Sequence, residues 1–253
     1  MNTTNDHKVL MRLLIKFTQI IIVVLFSHFM AVAQNIVADT VIRQASINSA
    51  IKFYDQALRE NSHLYNGNEF IDPFERQLLN GHAYFLTDEW QEGFIYYDGQ
   101  LYENVSLKYD LFRSKVIVEH PKSHQEIELI SEKINYFGLS DQFFVRLLSP
   151  TVGFYARLYD GNVKIYAMHY KSTQDNLTTK TKTTEFLAKR KLYIFKDEVY
   201  YLVNTKGSAL AVFKEQKTEI KKMLNQENIS FKKNKEYALK RMGEYFDQLI
   251  QTQ

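Results

Sequence analysis

Hydrophobic and polar residues alternate with a period of two through the middle of the chain, from Gly93 to about Val203. This alternation predicts β-strands, because successive side chains of a strand point to opposite faces of a sheet. The stretch from Gly93 to Tyr109 reads GFIYYDGQLYENVSLKY, with aromatic-rich runs on both sides of Asp98-Gly99. Asp-Gly favours a type I′ turn, since both central residues of that turn have a positive φ. We therefore predict a β-hairpin that turns at Asp98-Gly99.

A second stretch, from Phe154 to Tyr170, has the same design, with Asp160-Gly161 at its bend. Other short runs predict strands at Lys115–Glu119, Glu126–Ile130, Ile134–Phe137, Phe143–Leu148, Lys191–Phe195 and Val199–Val203. Short strands joined by tight turns form antiparallel meanders, because each hairpin places its strands side by side. We predict a meander of about eight to ten strands, either open or curved into a half-barrel.

Two details of this sheet can be predicted from the pattern. Alternation places Leu101 on the same face as Val105, Leu107 and Tyr109. The polar, threonine-rich stretch from Ser172 to Lys182 has no apolar period, so we predict a mobile loop there.

Apolar residues at helical spacing flank the predicted sheet on both sides. One helix is predicted over Thr40–Arg59. At the other end, Ser208 is a candidate N-cap for a helix that runs to about Asn225, and a last helix is predicted from about Asn234 to Ile250. The fold class is therefore α+β in one domain, residues 34–253. It has an N-terminal helix and irregular segment (34–92), an antiparallel sheet (93–203) and a tail of two helices (204–253).

The first 33 residues are predicted to be a secretory signal peptide. Lys8, Arg12 and Lys16 make the start basic. Phe17–Met30 is mostly apolar, and Ala31-Val32-Ala33 is a small-residue cleavage site. The apolar stretch is shorter than the ~20 residues that a membrane-spanning helix needs. We expect the mature chain to begin near Gln34, as a soluble exported protein without a transmembrane helix.

Composition excludes several classes of function. The chain has 32 Lys and Arg against 29 Asp and Glu, so it lacks the strong basic excess of a typical nucleic-acid-binding protein. It has no Cys, which excludes disulfides, thiol catalysis and thiolate metal sites. An exported chain without disulfides must be stabilised by a packed core. The 17 Tyr and 18 Phe favour a β-rich one.

The sequence lacks the usual signatures of catalysis and cofactor binding. It contains no nucleophile elbow, zinc-protease motif, phosphate-binding glycine loop or dinucleotide fingerprint. We therefore predict no cofactor.

Two clusters of polar residues are candidates for a catalytic or metal-binding site. His120, His124 and Glu126 could supply zinc ligands or an acid–base pair, although their spacing matches no zinc motif and is equally typical of a polar turn. Asp88, Glu89 and Glu92 surround Trp90 in the irregular segment Asn61–Glu92, as carboxylates surround an aromatic platform in carbohydrate sites. The alternative is a solvated loop that Trp90 anchors to the core.

Aromatic residues of the sheet are candidates for ligand binding. Trp90, Tyr97, Tyr102 and Tyr109 could line a groove, because amphipathic rings suit a concave binding surface. The alternative is cross-strand packing, which stabilises a sheet regardless of function.

Several strings resemble a family of uncharacterised exported bacterial proteins. They are LYNG at Leu64–Gly67, GHAYFL at Gly81–Leu86, YYDGQLYENVSLKYD at Tyr96–Asp110, GFYARLYDG at Gly153–Gly161, and the Lys206-Gly207-Ser208 entry to the helical tail. Members of that family are similar in having a signal peptide, a β-rich middle with Tyr-Asp-Gly hairpins and a basic helical tail. The resemblance implies the periplasm or envelope of a gram-negative-type bacterium, and it implies no catalytic residues.

Three functions remain open from the sequence. The first is an exported, non-catalytic periplasmic or envelope protein that binds a ligand or a protein partner through its sheet or a groove. The second is a carrier for lipid or lipoprotein, resembling the periplasmic sorting carriers whose half-barrels hold acyl chains. The third is a hydrolase that uses His120 and His124, or Asp88 and Glu89. The expected partner is an envelope protein or a small apolar ligand.

Overall fold

The computed structural model describes residues 63–74, 79–178 and 181–251. The predicted leader and the predicted helix Thr40–Arg59 lie outside these residues. The strands are β1 (Asn68–Glu69), β2 (Leu79–Asn80), β3 (Gln91–Tyr97), β4 (Gln100–Asp110), β5 (Lys115–Glu119), β6 (Glu126–Glu128), β7 (Ile134–Leu139), β8 (Gln142–Leu147), β9 (Gly153–Asp160), β10 (Lys164–Thr178), β11 (Thr181–Lys196) and β12 (Val199–Leu202). The helices are α1 (Lys206–Val212), α2 (Lys217–Gln226) and α3 (Lys235–Gln251).

Eleven strands form one antiparallel sheet in the order β1-β6-β5-β4-β3-β7-β8-β9-β10-β11-β12. The short β2 pairs in parallel with β11. Within the described residues the end strands β1 and β12 do not pair with each other, so the sheet is open and not a closed barrel. The predicted α+β class and antiparallel meander are confirmed.

The sheet consists of two meanders that meet at one pair of strands. β3 to β6 form the first and β7 to β12 the second, and β7 pairs with β3. A Cβ on Gly93 would lie 2.3 Å from the Gly138 carbonyl oxygen, and a Cβ on Gly138 would lie 2.2 Å from the Phe94 ring. Both positions therefore require glycine, because the backbones and the Phe94 ring approach too closely for any side chain.

The two Tyr-Asp-Gly motifs have different physical roles. Asp98 and Gly99 have φ values of 51° and 84°, as a type I′ turn requires, so the first hairpin is confirmed in detail. Gly161 is not among the residues with positive φ, so the second motif does not repeat this design. A Cβ on Gly161 would lie 2.0 Å from Oδ2 of Asp247 in α3. This glycine makes room for a carboxylate.

The predicted face of Leu101 is wrong because β4 contains a bulge. The register between β3 and β4 shifts next to Gly93, where Asn104 adopts a φ of 53°. The extra residue reverses the alternation beyond it. Leu101 is therefore exposed, whereas Val105, Leu107 and Tyr109 are buried, so Leu101 does not share their face as predicted.

The prediction of a loop from Ser172 to Lys182 is wrong, because β10 extends to Thr178 and β11 begins at Thr181. Their pairing runs from Lys164↔Phe195 to Thr178↔Thr181. Threonine is β-branched and favours extended backbone, and paired strands that extend past the core need no apolar period.

The C-terminal tail contains three α-helices, not the predicted two. The first is capped by Thr205 and not by Ser208. The Ser208 N–H donates to Thr205 Oγ1 at 3.1 Å, and the Thr205 N–H donates to Ser208 Oγ at 3.1 Å. This reciprocal capping box makes Ser208 the third helical residue.

The helices pack on one face of the sheet, which we call the inner face. This layer is the main hydrophobic core. Ile95, Phe137 and Phe144 of the sheet are fully buried there, together with Phe213 of the segment after α1 and Leu239 of α3. The opposite side of the sheet is the outer face.

Candidate functional site

The outer face carries a row of apolar and aromatic side chains across seven strands, from β3 to β12. Strand pairing joins Phe94, Gly138 and Phe143, and it also joins Arg157, Tyr166, Tyr193 and Leu202. The Arg157 guanidinium lies over the Phe143 ring and connects these two sets, which together we call the first row. Neighbouring strands are about 4.8 Å apart, so the six steps extend over about 29 Å. The row is therefore long and shallow.

A second row runs beside the first. Its members are Leu101, Tyr96, Tyr136, Val145 and Tyr155. The Tyr96 and Tyr136 rings stack with centroids 5.1 Å apart, and the Tyr136 ring stacks on Phe143 at 5.3 Å. The Phe143 stack links the two rows, and we call their combined surface the outer aromatic face.

Arg157 is the charged residue of the first row. Its guanidinium carbon lies 4.3 Å from the Phe143 ring centroid, and its Nη1 lies 2.8 Å from Asp160 Oδ2. A guanidinium over an aromatic ring remains charged and can still donate hydrogen bonds from its edge. Arg157 can therefore recognise a carbonyl or carboxylate at the centre of an otherwise apolar surface.

Three tyrosines form the floor of the outer aromatic face. Tyr155, Tyr166 and Tyr193 are buried among their neighbours, and the Tyr155 ring centroid lies 6.4 Å from that of Tyr166 and 5.9 Å from that of Tyr193. Burial raises the pKa of all three phenols, that of Tyr166 to about 12. The hydroxyl of Tyr155 donates to the Thr151 carbonyl at 2.8 Å. The three phenols of the floor are therefore neutral at physiological pH.

Other apolar side chains on this surface remain accessible. Tyr96, Tyr136 and Phe143 are half-buried. Around them, Leu148 is 70% exposed in the turn between β8 and β9, and Leu202 is 49% exposed on β12. In the described part of the chain, the three helices contact inner-face side chains.

The irregular segment before β3 packs on the outer face at the end of the sheet that contains β5. Phe70, Tyr84 and Trp90 pack there with Ile117 of β5. The Lys108 ammonium lies 4.3 Å from the Trp90 ring centroid, a cation–π distance. Trp90 therefore anchors this segment to the sheet.

Lys171 fastens the same segment to β10, and no sequence signal indicated this role. Its Nζ donates to the carbonyl oxygens of His82 and Tyr84 at 2.7 and 2.8 Å. Burial lowers the pKa of Lys171, while Asp110 and Asp88 act in the opposite direction. Both carbonyl contacts are to backbone, so the ammonium is a structural link.

The four aromatic residues proposed to line a groove do not share one surface. Tyr97 and Tyr109 are buried in the inner core, and the Tyr102 ring packs against that core. Trp90 lies on the outer side. Burial raises the pKa of Tyr109, whose hydroxyl lies 3.5 Å from Ser114 Oγ.

The histidine cluster lies in the turn between β5 and β6. Nδ1 of His120 accepts the backbone N–H groups of Lys122 and Ser123, both at 3.2 Å. Nδ1 of His124 lies 2.8 Å from Glu119 Oε1. These ring nitrogens are occupied by local contacts.

The other acidic candidates are also accounted for by their positions. Glu126 lies 3.8 Å from Lys108 Nζ. Asp88, Glu89 and Glu92 are exposed at the start of β3 and before it. Across residues 63–74, 79–178 and 181–251, no group of three or more His, Asp or Glu side chains is placed to hold a metal ion.

Sequence reasoning missed most of the outer aromatic face. The available signal was the continuous apolar character of short runs such as Phe154-Tyr155-Ala156 and Leu192-Tyr193-Ile194-Phe195. Apolar and polar residues alternate along a strand that has one solvent-exposed face, whereas a strand with apolar side chains on both faces shows no such alternation.

Comparison of the chain with protein-family models, with curated proteins and with solved structures gave no match. Among the helices that the structure describes, none is both long and apolar enough to cross a membrane. Function must therefore be inferred from the side chains themselves.

Proposed function

We propose that this chain is an exported, non-catalytic protein of the cell envelope that binds a protein partner through its outer aromatic face. The observation that supports this proposal most is the first row, which places Phe143, Arg157 and Leu202 on the sheet face opposite the helices. Export and the envelope location are inferred from the predicted leader at residues 1–33 and from the resemblance of the sequence to exported bacterial proteins.

The dimensions of this surface favour a macromolecular partner. A row about 29 Å long matches the size of a standard interface, which buries about 800 Å² on each side. Small ligands instead bind in concave pockets that enclose most of their surface. A shallow row across seven strands fits another protein better than a small molecule.

The composition of the surface supports the same proposal. Tyr, Phe, Met and Arg are enriched at protein interfaces, and Tyr and Arg are frequent among the residues that dominate binding energy. The partly buried rings of Phe195 and Tyr200 pack against the buried Tyr155, Tyr166 and Tyr193, which holds them in place. A surface that is already ordered has less conformational entropy to lose on binding.

The lipid-carrier alternative requires space on the inner face. Sheet residues such as Phe137 and Phe144 pack there with Phe246 and Met242 of α3, all nearly or fully buried. An acyl chain would have to displace these side chains. The hydrolase alternative requires a cleft for its polar groups, whereas His124 and Asp88 are exposed.

A photo-crosslinking amino acid placed at Tyr136 tests the proposal in the native cell. We expect one discrete crosslinked protein, because the Tyr136 ring stacks between Tyr96 and Phe143 at the accessible part of the face. The matched control is Tyr237, an exposed tyrosine on α3. It should give no crosslink to that protein.

A second variant distinguishes specific binding from nonspecific crosslinking to nearby proteins. Arg157→Glu reverses the charge at the centre of the row, so it should abolish the crosslink from Tyr136 while leaving the melting temperature within a few degrees. Equal crosslinking from Tyr136 and Tyr237, or an adduct that survives Arg157→Glu, would show that this face is not the binding site. Lipid recovered in stoichiometric amounts from purified protein would favour the carrier instead.

A further inference from the structure

Among the described residues, the last strand of the sheet has an unpaired edge that carries no charge, proline or bulge against pairing. No described strand pairs with β12 on the side away from β11. Natural edge strands are usually blunted by Lys, Pro, a bulge or very short length. β1, at the opposite end, has two residues, whereas β12 reads VYYL and is uncharged, with Val199, Tyr201 and Leu202 all exposed.

Backbone geometry identifies which groups of β12 are available. In an antiparallel pair, alternate residues turn both backbone groups toward the same neighbour. The Val203 N–H donates to the Leu192 carbonyl at 2.9 Å, and Tyr201 pairs with Ile194. Val203 and Tyr201 therefore face β11. The N–H and C=O groups of Tyr200 and Leu202 point to the free edge.

The geometry points to a second copy of this chain as the occupant of this edge, paired antiparallel to β12 across a two-fold axis. With Tyr201 opposite its counterpart, Tyr200 of each copy faces Leu202 of the other. Each such pair exchanges two hydrogen bonds, so four form in all. This register also keeps Tyr200 and Leu202 on the outer face of both sheets, as the strand period of two requires.

The charges next to β12 complement each other in this arrangement. Asp197 and Glu198 precede the strand, and Lys206 follows it. An antiparallel two-fold pair places the acidic start of one strand beside the basic end of the other. Lys206 begins α1 four residues after Leu202, so the acidic turn of one copy would lie near the start of α1 of the other. A parallel arrangement would bring like charges together.

The dimer would extend the binding surface proposed above but does not depend on it. Leu202 ends the first row, and Tyr200 of the second copy would continue it. Two outer aromatic faces would then form one surface.

Sedimentation velocity from micromolar to near-millimolar protein tests the dimer. Leu202→Pro removes an N–H that faces the free edge and is not used by β11, so the monomer should still fold. Two of the four bonds are lost, and we expect the dissociation constant to rise on the order of tenfold or more. Tyr201→Lys places like charges directly opposite each other and should leave a monomer.

The matched control and a charge exchange make the test specific. Val152→Lys introduces the same charge at an exposed residue in another turn and should leave the dimer unchanged. Glu198→Lys should weaken the dimer, and adding Lys206→Glu should restore it. A monomer at every concentration overturns the inference, and so does a dimer that is indifferent to Leu202→Pro. Loss of the dimer with the partner crosslink intact would separate this inference from the proposed function.

Discussion

Replacing Gly161 with alanine tests why glycine follows Asp160 in the second Tyr-Asp-Gly motif. The new Cβ would lie 2.0 Å from Asp247 Oδ2 and 2.6 Å from the Tyr159 hydroxyl. That carboxylate oxygen is held in place because it accepts hydrogen bonds from the Tyr159 hydroxyl at 2.8 Å and from the Asn162 N–H at 2.9 Å. Alanine must therefore displace a buried carboxylate from two donors.

The cost can be estimated from these contacts. Overpacking costs about 1–3 kcal/mol, and a hydrogen bond to a charged group is worth about 1.5–3 kcal/mol. A clash that weakens one of the two bonds should lower the free energy of unfolding by about 3 kcal/mol. The melting temperature of a domain of this size should then fall by about 6–12 °C.

The first Tyr-Asp-Gly motif supplies the matched control. A Cβ on Gly99 would meet no atom within 4 Å, but the residue has a φ of 84°. Gly99→Ala should cost about 1–2 kcal/mol through backbone strain alone. Urea unfolding followed by circular dichroism measures both variants.

A double-mutant cycle with Asp247→Ala separates the two causes. Removing the carboxylate relieves the main clash and frees the Tyr159 ring to move. Gly161→Ala should therefore cost about 2 kcal/mol less in that background, a coupling typical of residues in contact. Gly99→Ala should cost the same in both backgrounds. An unchanged cost of Gly161→Ala without Asp247 would refute this explanation of the second motif.

Gly243→Ala should lower stability by about 1 kcal/mol despite the better helix propensity of alanine, because its Cβ would lie 2.7 Å from Tyr159 Cδ1; a higher melting temperature would contradict this. Burial lowers the pKa of His169, which lies 3.9 Å from Glu236, so the stability that neutral His169 contributes is lost as pH falls below about 6.5. His169→Gln should flatten that decline in denaturant titrations between about pH 7 and pH 5, and an unchanged slope would exclude His169 as its source. Burial raises the pKa of Tyr159 and Tyr166 to about 12, so the contribution of their neutral phenols to the free energy of unfolding should persist below about pH 10 and be lost toward pH 12. A tyrosinate absorbance that is already complete at about pH 10 would refute this.

Local chemistry in the sequence was enough to predict the elements that depend on neighbouring residues. Asp98-Gly99 makes a type I′ turn because its requirement for positive φ is internal to the turn. Lys115–Glu119 is a strand with the predicted bounds. The antiparallel order of consecutive hairpins follows from the same local rules.

Predictions failed where a contact distant in sequence or an irregular backbone conformation decides the structure. Gly161 is required by Asp247 of α3, and no pattern near Gly161 indicates that contact. Leu101 changes face because of a bulge at Asn104, which shifts the period of two by one residue. Ser208 has the chemistry of a cap, but Thr205 has the extended backbone that a cap needs.

The candidate site could not be predicted because the strand sequence does not indicate which face of the sheet the helices cover. Tyr97 and Tyr96 are adjacent in the sequence, yet Tyr97 is in the inner core and Tyr96 is on the outer face. Which of two neighbouring tyrosines faces inward depends on the position of the helices, which the strand sequence does not contain.

The junction of the two meanders has a consequence for the order of folding. Within each meander, neighbouring strands are close in the chain and can pair through short loops. β3 and β7 are separated by three other strands in sequence, so their pairing must close a much longer loop, which is entropically slower. Each meander can therefore form as a local unit before the whole sheet exists. The junction pairs Phe94 with Gly138 and places Gly93 against the Gly138 carbonyl, so the step that unites the two units depends on close backbone fit. A substitution at either glycine should separate one cooperative unfolding transition into two.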